Sequence, residues 1–64
     1  MNLTVLEREL AYMVYFGGIL PENFDRKIIW EKKVYRVKMV GGMVVFCQDI
    51  RTKKIYKDNQ KKAV

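Results

Sequence analysis

The sequence predicts an α+β fold in which one N-terminal helix packs on an antiparallel meander of three or four strands. Two patterns carry this prediction. Residues 34–50, VYRVKMVGGMVVFCQDI, contain two apolar-rich runs separated by Gly41-Gly42, and glycine reaches the positive φ that a two-residue hairpin turn requires. Residues 3–16 place apolar side chains at the spacing of one helix face. Together they indicate one small domain spanning residues 1–64.

The chain is short for a self-sufficient core. A domain of this size buries only about 60% of the surface that its unfolded chain exposes. Its single cysteine cannot form an intramolecular disulfide, although half of the residues are apolar. Small folds without such a brace often complete their core by oligomerising or by docking on a partner. Composition therefore favours an association, with a second copy or with another protein.

The Gly41-Gly42 turn fixes an expected register for the central hairpin. With two residues in the turn, Met39 lies opposite Val44 and Val37 lies opposite Phe46. Because side chains alternate across a sheet, one face is nearly all apolar and is assigned to the core: Tyr35, Val37, Met39, Val44, Phe46 and Gln48. The opposite face is mixed, and it is either a solvated face or a binding face: Val34, Arg36, Lys38, Val45, Cys47 and Asp49.

Residues 3–16 are predicted to form the helix. Thr4 and Glu7 fit a capping box, in which the two side chains satisfy amides of the first turn. Gly17-Gly18 supplies the end, because glycine tolerates the left-handed conformation that follows many helices. One stripe of the helix should pack on the hairpin: Leu3, Leu6, Leu10, Met13 and Val14.

The other side of this helix is unusually apolar, where a surface helix normally carries charge. Its residues are Val5, Arg8, Tyr12, Tyr15 and Phe16. Either the following loop folds back over these side chains, or they form an interface, since aromatic residues backed by arginine are typical of binding hot spots. The sequence leaves both interpretations open. Its predicted partner-binding residues are Arg8, Tyr12, Tyr15 and Phe16.

The rest of the chain is predicted as a loop over residues 17–26, a β-meander over residues 27–57 and a frayed basic tail over residues 58–64. A short first strand covers residues 27–30, and a wider turn after residue 49 leads into the last strand. That turn puts Lys53 in the left-handed position that usually belongs to glycine.

The pattern VYRV…VVFCQDIRTKKIY in the C-terminal half, with its D-x-x-T turn at Asp49, is similar in rhythm to small SH3-like barrels. This resemblance implies short, strongly twisted strands. It makes a small, partly closed SH3-like barrel the alternative to an open sheet.

Charge is divided unevenly along the chain. Residues 1–25 hold one cation and four anions, a balance of −3, whereas residues 26–64 hold twelve cations and three anions, a balance of +9. In an antiparallel meander the turns at 31–33 and 51–54 lie at the same end. The predicted site for an acidic partner or for the phosphate backbone of nucleic acid comprises Lys32, Lys33, Arg36, Lys38, Arg51, Lys53 and Lys54. Alternatively, these lysines and arginines serve solubility alone.

Residue types that carry catalysis or bind metals are scarce in this sequence. The chain has no histidine and one cysteine, so we expect no zinc site, no histidine acting as a general base and no nucleophilic thiol. The two glycine pairs do not fit a nucleotide-binding motif. Residues 10–20 are uncharged but fall well short of the ~20 residues of a membrane span. We expect a cytoplasmic, non-enzymatic protein with no cofactor, no metal, no membrane contact and no small-molecule substrate.

These expectations give two functional hypotheses. The first is a small protein-interaction module, a regulator or inhibitor of the kind that phages and mobile elements encode. It docks on a protein partner, or on a second copy as a homodimer, through the aromatic helix face and the basic sheet end. The second is a nonspecific DNA- or RNA-binding protein that uses the basic sheet end.

Overall fold

The computed structural model describes residues 1–60, and it confirms the α+β prediction. Helix α1 (Leu3–Tyr15) is followed by four antiparallel strands: β1 (Phe24–Trp30), β2 (Lys33–Val40), β3 (Met43–Asp49) and β4 (Ile55–Asp58). They form one sheet in the order β1-β2-β3-β4, so β1 and β4 are its two edges. The sheet is therefore open, and the alternative of a partly closed barrel is not adopted.

Two predicted boundaries differ from the structure. The first strand begins at Phe24 instead of residue 27, because all seven of its residues pair in register with β2, from Phe24 opposite Met39 to Trp30 opposite Lys33. The predicted tail of residues 58–64 begins too early, since Asp58 closes β4 and the Asn59 amide donates to the Val45 carbonyl at 2.6 Å. Residues 61–64 lie outside the described residues.

Helix α1 begins at a different cap from the predicted one. The side chain of Asn2 is the N-cap, and its Oδ1 accepts the Val5 amide at 3.2 Å. Glu7, which was predicted to close a capping box with Thr4, instead forms an ion pair with Lys57 of β4. The helix ends at Tyr15, one residue earlier than predicted, and Phe16 is its C-cap.

The central hairpin departs from its predicted register after two residue pairs. Val40 and Met39 lie opposite Met43 and Val44 as expected, but a bulge follows and Lys38 pairs with Phe46 instead of Val45. An extra residue in one strand reverses the faces of all the residues beyond it. Three of the later pairings thus differ from the predicted ones: Lys38 with Phe46, Val37 with Cys47 and Arg36 with Gln48.

This bulge exchanges the inward residues of β3. Cys47 and Asp49, which were predicted to face outward, are buried, whereas Phe46 and Gln48 leave the core face and are only half-buried. The predicted helix stripe is confirmed: Leu6 and Leu10 are fully buried, and the rest of the stripe packs around them. The core is Leu6, Leu10, Tyr35, Val37, Met39, Val44 and Cys47.

A tyrosine joins the end of α1 to the central turn. Gly41 and Gly42 have φ values of +60° and +78°, as the predicted two-residue turn requires. The Tyr15 hydroxyl donates to the Gly41 carbonyl at 3.0 Å. A Cβ atom at Gly42 would overlap the Tyr15 hydroxyl and ring, whereas one at Gly41 would meet open space. Gly42 is therefore needed both for its backbone conformation and to leave room for the Tyr15 side chain.

This difference makes the two glycines a matched pair for stability. Gly41→Ala should lower the free energy of unfolding by about 1 kcal/mol, the cost of a left-handed alanine. Gly42→Ala should cost about 1 kcal/mol more, because Tyr15 must also move and lose its hydrogen bond. Urea unfolding of both variants measures this difference between their free energies of unfolding. In a Tyr15→Ala background the two glycine substitutions should cost the same free energy of unfolding. A difference that persists there would show that Tyr15 is not its cause.

Candidate interaction surfaces

The aromatic helix face, defined as Arg8, Tyr12, Tyr15 and Phe16, is largely open to solvent. The rings of Tyr12 and Phe16 lie 5.2 Å apart between centroids, and their side chains are 63% and 78% exposed. Arg8 is also exposed. The loop after the helix does not cover this face, and the side chain of Ile19 in that loop is itself 71% exposed.

The four predicted residues of this face are not equivalent. Tyr15 is tied to the Gly41 carbonyl and fills the space above Gly42, so part of its surface serves the fold. Tyr12 and Phe16 contact each other and remain available. Arg8 lines a neighbouring cleft of about 390 Å³ between α1 and the start of β3, beside the exposed side chain of Met43. This cleft extends the aromatic helix face toward the sheet, and no pattern in the sequence indicates it.

The basic end of the sheet contains a second, larger cleft. It has a volume of about 500 Å³ and lies between the turn after β1 and the turn after β3. The structure thus brings together two turns that the sequence placed at the same end. The lining residues are Lys32, Lys33, Val34, Asp49, Ile50, Arg51 and Thr52. We call this the basic cleft; three cations lie around an aliphatic floor.

The basic cleft depends on Asp49, a residue that the sequence prediction placed on the wrong face. Its Oδ1 accepts the amides of Arg51 at 2.8 Å and of Thr52 at 3.1 Å, and its side chain is only 4% exposed. The Lys53 amide donates to the Asp49 carbonyl at 2.8 Å. The D-x-x-T pattern was a usable signal, because aspartate side chains hold turns by accepting amides from residues just beyond them.

The electrostatics of Asp49 follow from these contacts. The Thr52 amide, which donates to the carboxylate, lowers the pKa of Asp49 below its usual value. Burial opposes this effect, while the Arg51 amide and the charges of Lys33 and Arg51 add to it. The carboxylate therefore stays ionised, and it offsets part of the positive charge around the basic cleft.

The other four predicted cations do not line the cleft. Arg36 forms a two-point ion pair with Asp25, at 3.0 and 2.9 Å, which raises the pKa of Arg36 and lowers that of Asp25. Lys38 donates to the side chain of Gln60 at 3.3 Å. Lys54 lies 5.0 Å above the centre of the Tyr56 ring, and Lys53 has the predicted left-handed backbone, with a φ of +68°. The structure places Lys32, Lys33 and Arg51 together and separates them from Arg36 and Lys38 on the outer sheet face.

The two candidate surfaces lie at opposite ends of the molecule. Tyr15 touches the Gly41-Gly42 turn at one end of β2, and Lys33 of the basic cleft begins β2 at the other. Strand β2 has eight residues, and the seven rises between its first and last residue span roughly 23 Å at ~3.3 Å per rise. The aromatic helix face and the basic cleft are therefore two surfaces, and one partner reaches both only if it spans this length.

Comparison with known proteins gives no information about function, which must be inferred from the structure. No protein-family model, curated protein or solved structure has significant similarity to this chain.

Cys47 is a free thiol in the core, and burial raises its pKa, with smaller contributions from the charges of Glu7 and Asp49. Among residues 1–60, acidic and cysteine side chains form no group that could hold a metal ion. Helix α1 is too short to cross a membrane, and no other helix occurs in that range.

The depressed pKa of Asp49 predicts how stability depends on pH. A carboxyl whose pKa is lower in the folded state contributes stability that is complete above its unfolded value, near 4, and that is lost as pH falls through its folded value. Asp49→Asn keeps an oxygen acceptor but removes this titration. The variant should be less stable than the wild type at pH 7 and should lose less stability on acidification from about pH 4 to pH 2.

Urea unfolding at a series of pH values measures this effect. Asp25→Asn is the matched comparison, because the pKa of Asp25 is lowered by Arg36 at an exposed site away from the basic cleft. If Asp49→Asn and the wild type lose equal stability over this range, the carboxylate of Asp49 does not hold the turn in the manner described.

Proposed function

We propose that this protein is a small interaction module that regulates or inhibits a protein partner by docking its aromatic helix face on it. The observation that carries the proposal is the exposed pair of Tyr12 and Phe16 on a helix whose other stripe already fills the core. The cysteine in the core is a free thiol, which suits action in a reducing compartment such as the cytoplasm.

The physical case rests on the cost of leaving these rings in water. Apolar surface contributes about 25 cal/mol for each Å² that is removed from water. Aromatic side chains bury a large area with few rotatable bonds, which is why they dominate binding hot spots together with arginine. Tyr12, Phe16 and Arg8 have this composition, and the neighbouring cleft and Met43 offer a partner side chain a concave contact.

The basic cleft supports a second role in the same association. Charges at the rim of an interface act mainly on the rate of encounter and on partner choice. Lys32, Lys33 and Arg51 lie at the end of β2 opposite the turn that Tyr15 contacts, so they attract an acidic partner without belonging to the hydrophobic contact. A partner that is negatively charged around a small apolar pocket fits both surfaces.

The first experiment measures the solution mass over a range of protein and salt concentrations. Tyr12→Ala with Phe16→Ala should weaken association, with the partner or with a second copy, by at least about tenfold, because hot-spot truncations cost about 2 kcal/mol or more. The fold should remain intact, since both side chains are exposed. Tyr15 is left unchanged because it contacts Gly41.

Ile55→Ala is the control, because it truncates an exposed apolar side chain of β4 outside the aromatic helix face. It should leave association unchanged. Loss of folding in the double variant would return the two rings to a structural role, and unchanged association with an intact fold would remove this face from the interface. A homodimer that the double variant abolishes would identify the partner as a second copy.

Nonspecific nucleic-acid binding is the second candidate function, and the three cations around the basic cleft favour it. Lys32→Glu with Arg51→Glu should weaken binding to a mixed-sequence oligonucleotide at every sequence. It should also flatten the salt dependence, by roughly 0.7–0.9 in logarithmic slope for each phosphate that the protein no longer neutralises. Lys53→Glu with Lys54→Glu reverses the same charge outside the cleft and should have a smaller effect. Binding that ignores salt and the first pair of substitutions would rule this function out.

A further inference from the structure

The two edges of the sheet differ in a way that matters for binding. Strand β4 has four residues and its pairing with β3 is interrupted by a bulge, which is how proteins commonly protect an edge. Strand β1 has seven residues in continuous register with β2. Such a strand offers a regular row of unpaired backbone groups to an additional strand.

The outward backbone groups of β1 follow from one hydrogen bond. The Ile50 amide donates to the Val34 carbonyl at 3.1 Å, so the backbone groups of Val34 point toward β3. Alternate residues of a strand point to opposite sides, so Tyr35 bonds toward β1, where its partner is Ile28. The residues whose N–H and C=O groups point away from the sheet are therefore Asp25, Lys27 and Ile29. Within residues 1–60, no turn, loop or cap bond uses these groups.

The side chains beside this edge are suited to a strand that is partly apolar. Ile29 is 76% exposed on the outer face, and Ile28 and Trp30 are half-buried on the helix side. Helix α1 packs against β3, two strands away. On this side Ile28 and Trp30 pack against the core and remain partly exposed.

The charge of the edge selects the partner. Arg26 and Lys27 are exposed on opposite faces of β1, while Asp25 is neutralised by Arg36. After Glu31, the chain continues into Lys32 and Lys33 of the basic cleft. An added strand thus meets uncompensated positive charge on both of its faces.

A second copy of β1 fits this edge poorly. If two β1 strands pair antiparallel so that all three outward residues of each form hydrogen bonds, Lys27 of one copy lies opposite Lys27 of the other. If the register shifts by one residue pair toward Asp25, Arg26 lies opposite Arg26. A shift toward the end of the strand pairs only Lys27 and Ile29. Like charges directly opposite each other are destabilising, so the occupant is a different segment.

We propose that the edge of β1 binds an extended segment of a partner protein as a fifth, antiparallel strand. The segment carries acidic residues opposite Arg26 and Lys27 and apolar residues opposite Ile28 and Ile29. The backbone groups of Asp25, Lys27 and Ile29 form its hydrogen bonds. This site is separate from the aromatic helix face, and the proposal does not depend on that face.

The test uses a synthetic peptide, acetyl-Thr-Val-Ile-Glu-Glu-Thr-Thr-amide, whose residues match β1 in antiparallel order. Amide NMR of the wild-type protein should show shifts concentrated in residues 24–30 and slowed exchange at Asp25, Lys27 and Ile29. A peptide with both glutamates replaced by lysine is the control, and it should bind about tenfold more weakly or not at all.

Two variants separate the backbone contact from the charge. Lys27→Pro removes an outward N–H, which edge strands tolerate, and it should abolish binding of the acidic peptide. Lys27→Ala removes only the side-chain charge and should weaken binding a few-fold. Protected amides at Tyr35 and Val37 show that β1 and β2 remain paired. If Lys27→Pro unfolds, the acidic peptide N-methylated at its first glutamate supplies the same test on the wild-type protein, and it should not bind.

Several results would overturn the proposal. They are equal binding of the two peptides, shifts confined to the aromatic helix face or the basic cleft, and no binding of the acidic peptide at millimolar concentration. Slow exchange at Lys27 in the free protein that grows with protein concentration would also overturn it, because the occupant would then be a second copy.

Discussion

The structure depends on the burial of one helix stripe against one face of one sheet. Leu6 and Leu10 are the only fully buried side chains of α1, and they meet a core that β2 and β3 supply. A chain with a single helix and a single sheet can cover only one face of each. The remaining faces and edges are therefore exposed, so the several candidate surfaces all follow from the two-layer architecture.

The periodic parts of this fold could be predicted, and the parts set by single residues could not. The helix stripe, the Gly41-Gly42 turn and the left-handed Lys53 follow from residue type and spacing. The bulge opposite the Lys38–Met39 step does not, because one extra residue in β3 leaves the apolar pattern of either strand almost unchanged. Its effect is large: Cys47 and Asp49 move to the buried face.

The candidate sites follow the same division. The sequence left open whether the following loop covers the aromatic helix face, and only the path of that loop decides this question. The meeting of two basic turns was predictable from the topology of a meander. The set of cations that share the basic cleft was not predictable. Arg36 is held by Asp25, and Asp25 belongs to a strand that begins three residues before the predicted boundary. Asp49 shows how a recognisable motif is misplaced when the register is wrong.

The ion pair between Glu7 and Lys57 joins residues fifty positions apart in a chain of 64. Helix α1 precedes the sheet in the chain, so during synthesis its apolar stripe has no surface to pack on until β3 has been made. Contacts between distant parts of a chain form slowly, because the loop that joins them must first be closed. Until then, α1 carries apolar side chains on both of its sides. In this interval, premature association of these exposed apolar side chains competes with folding.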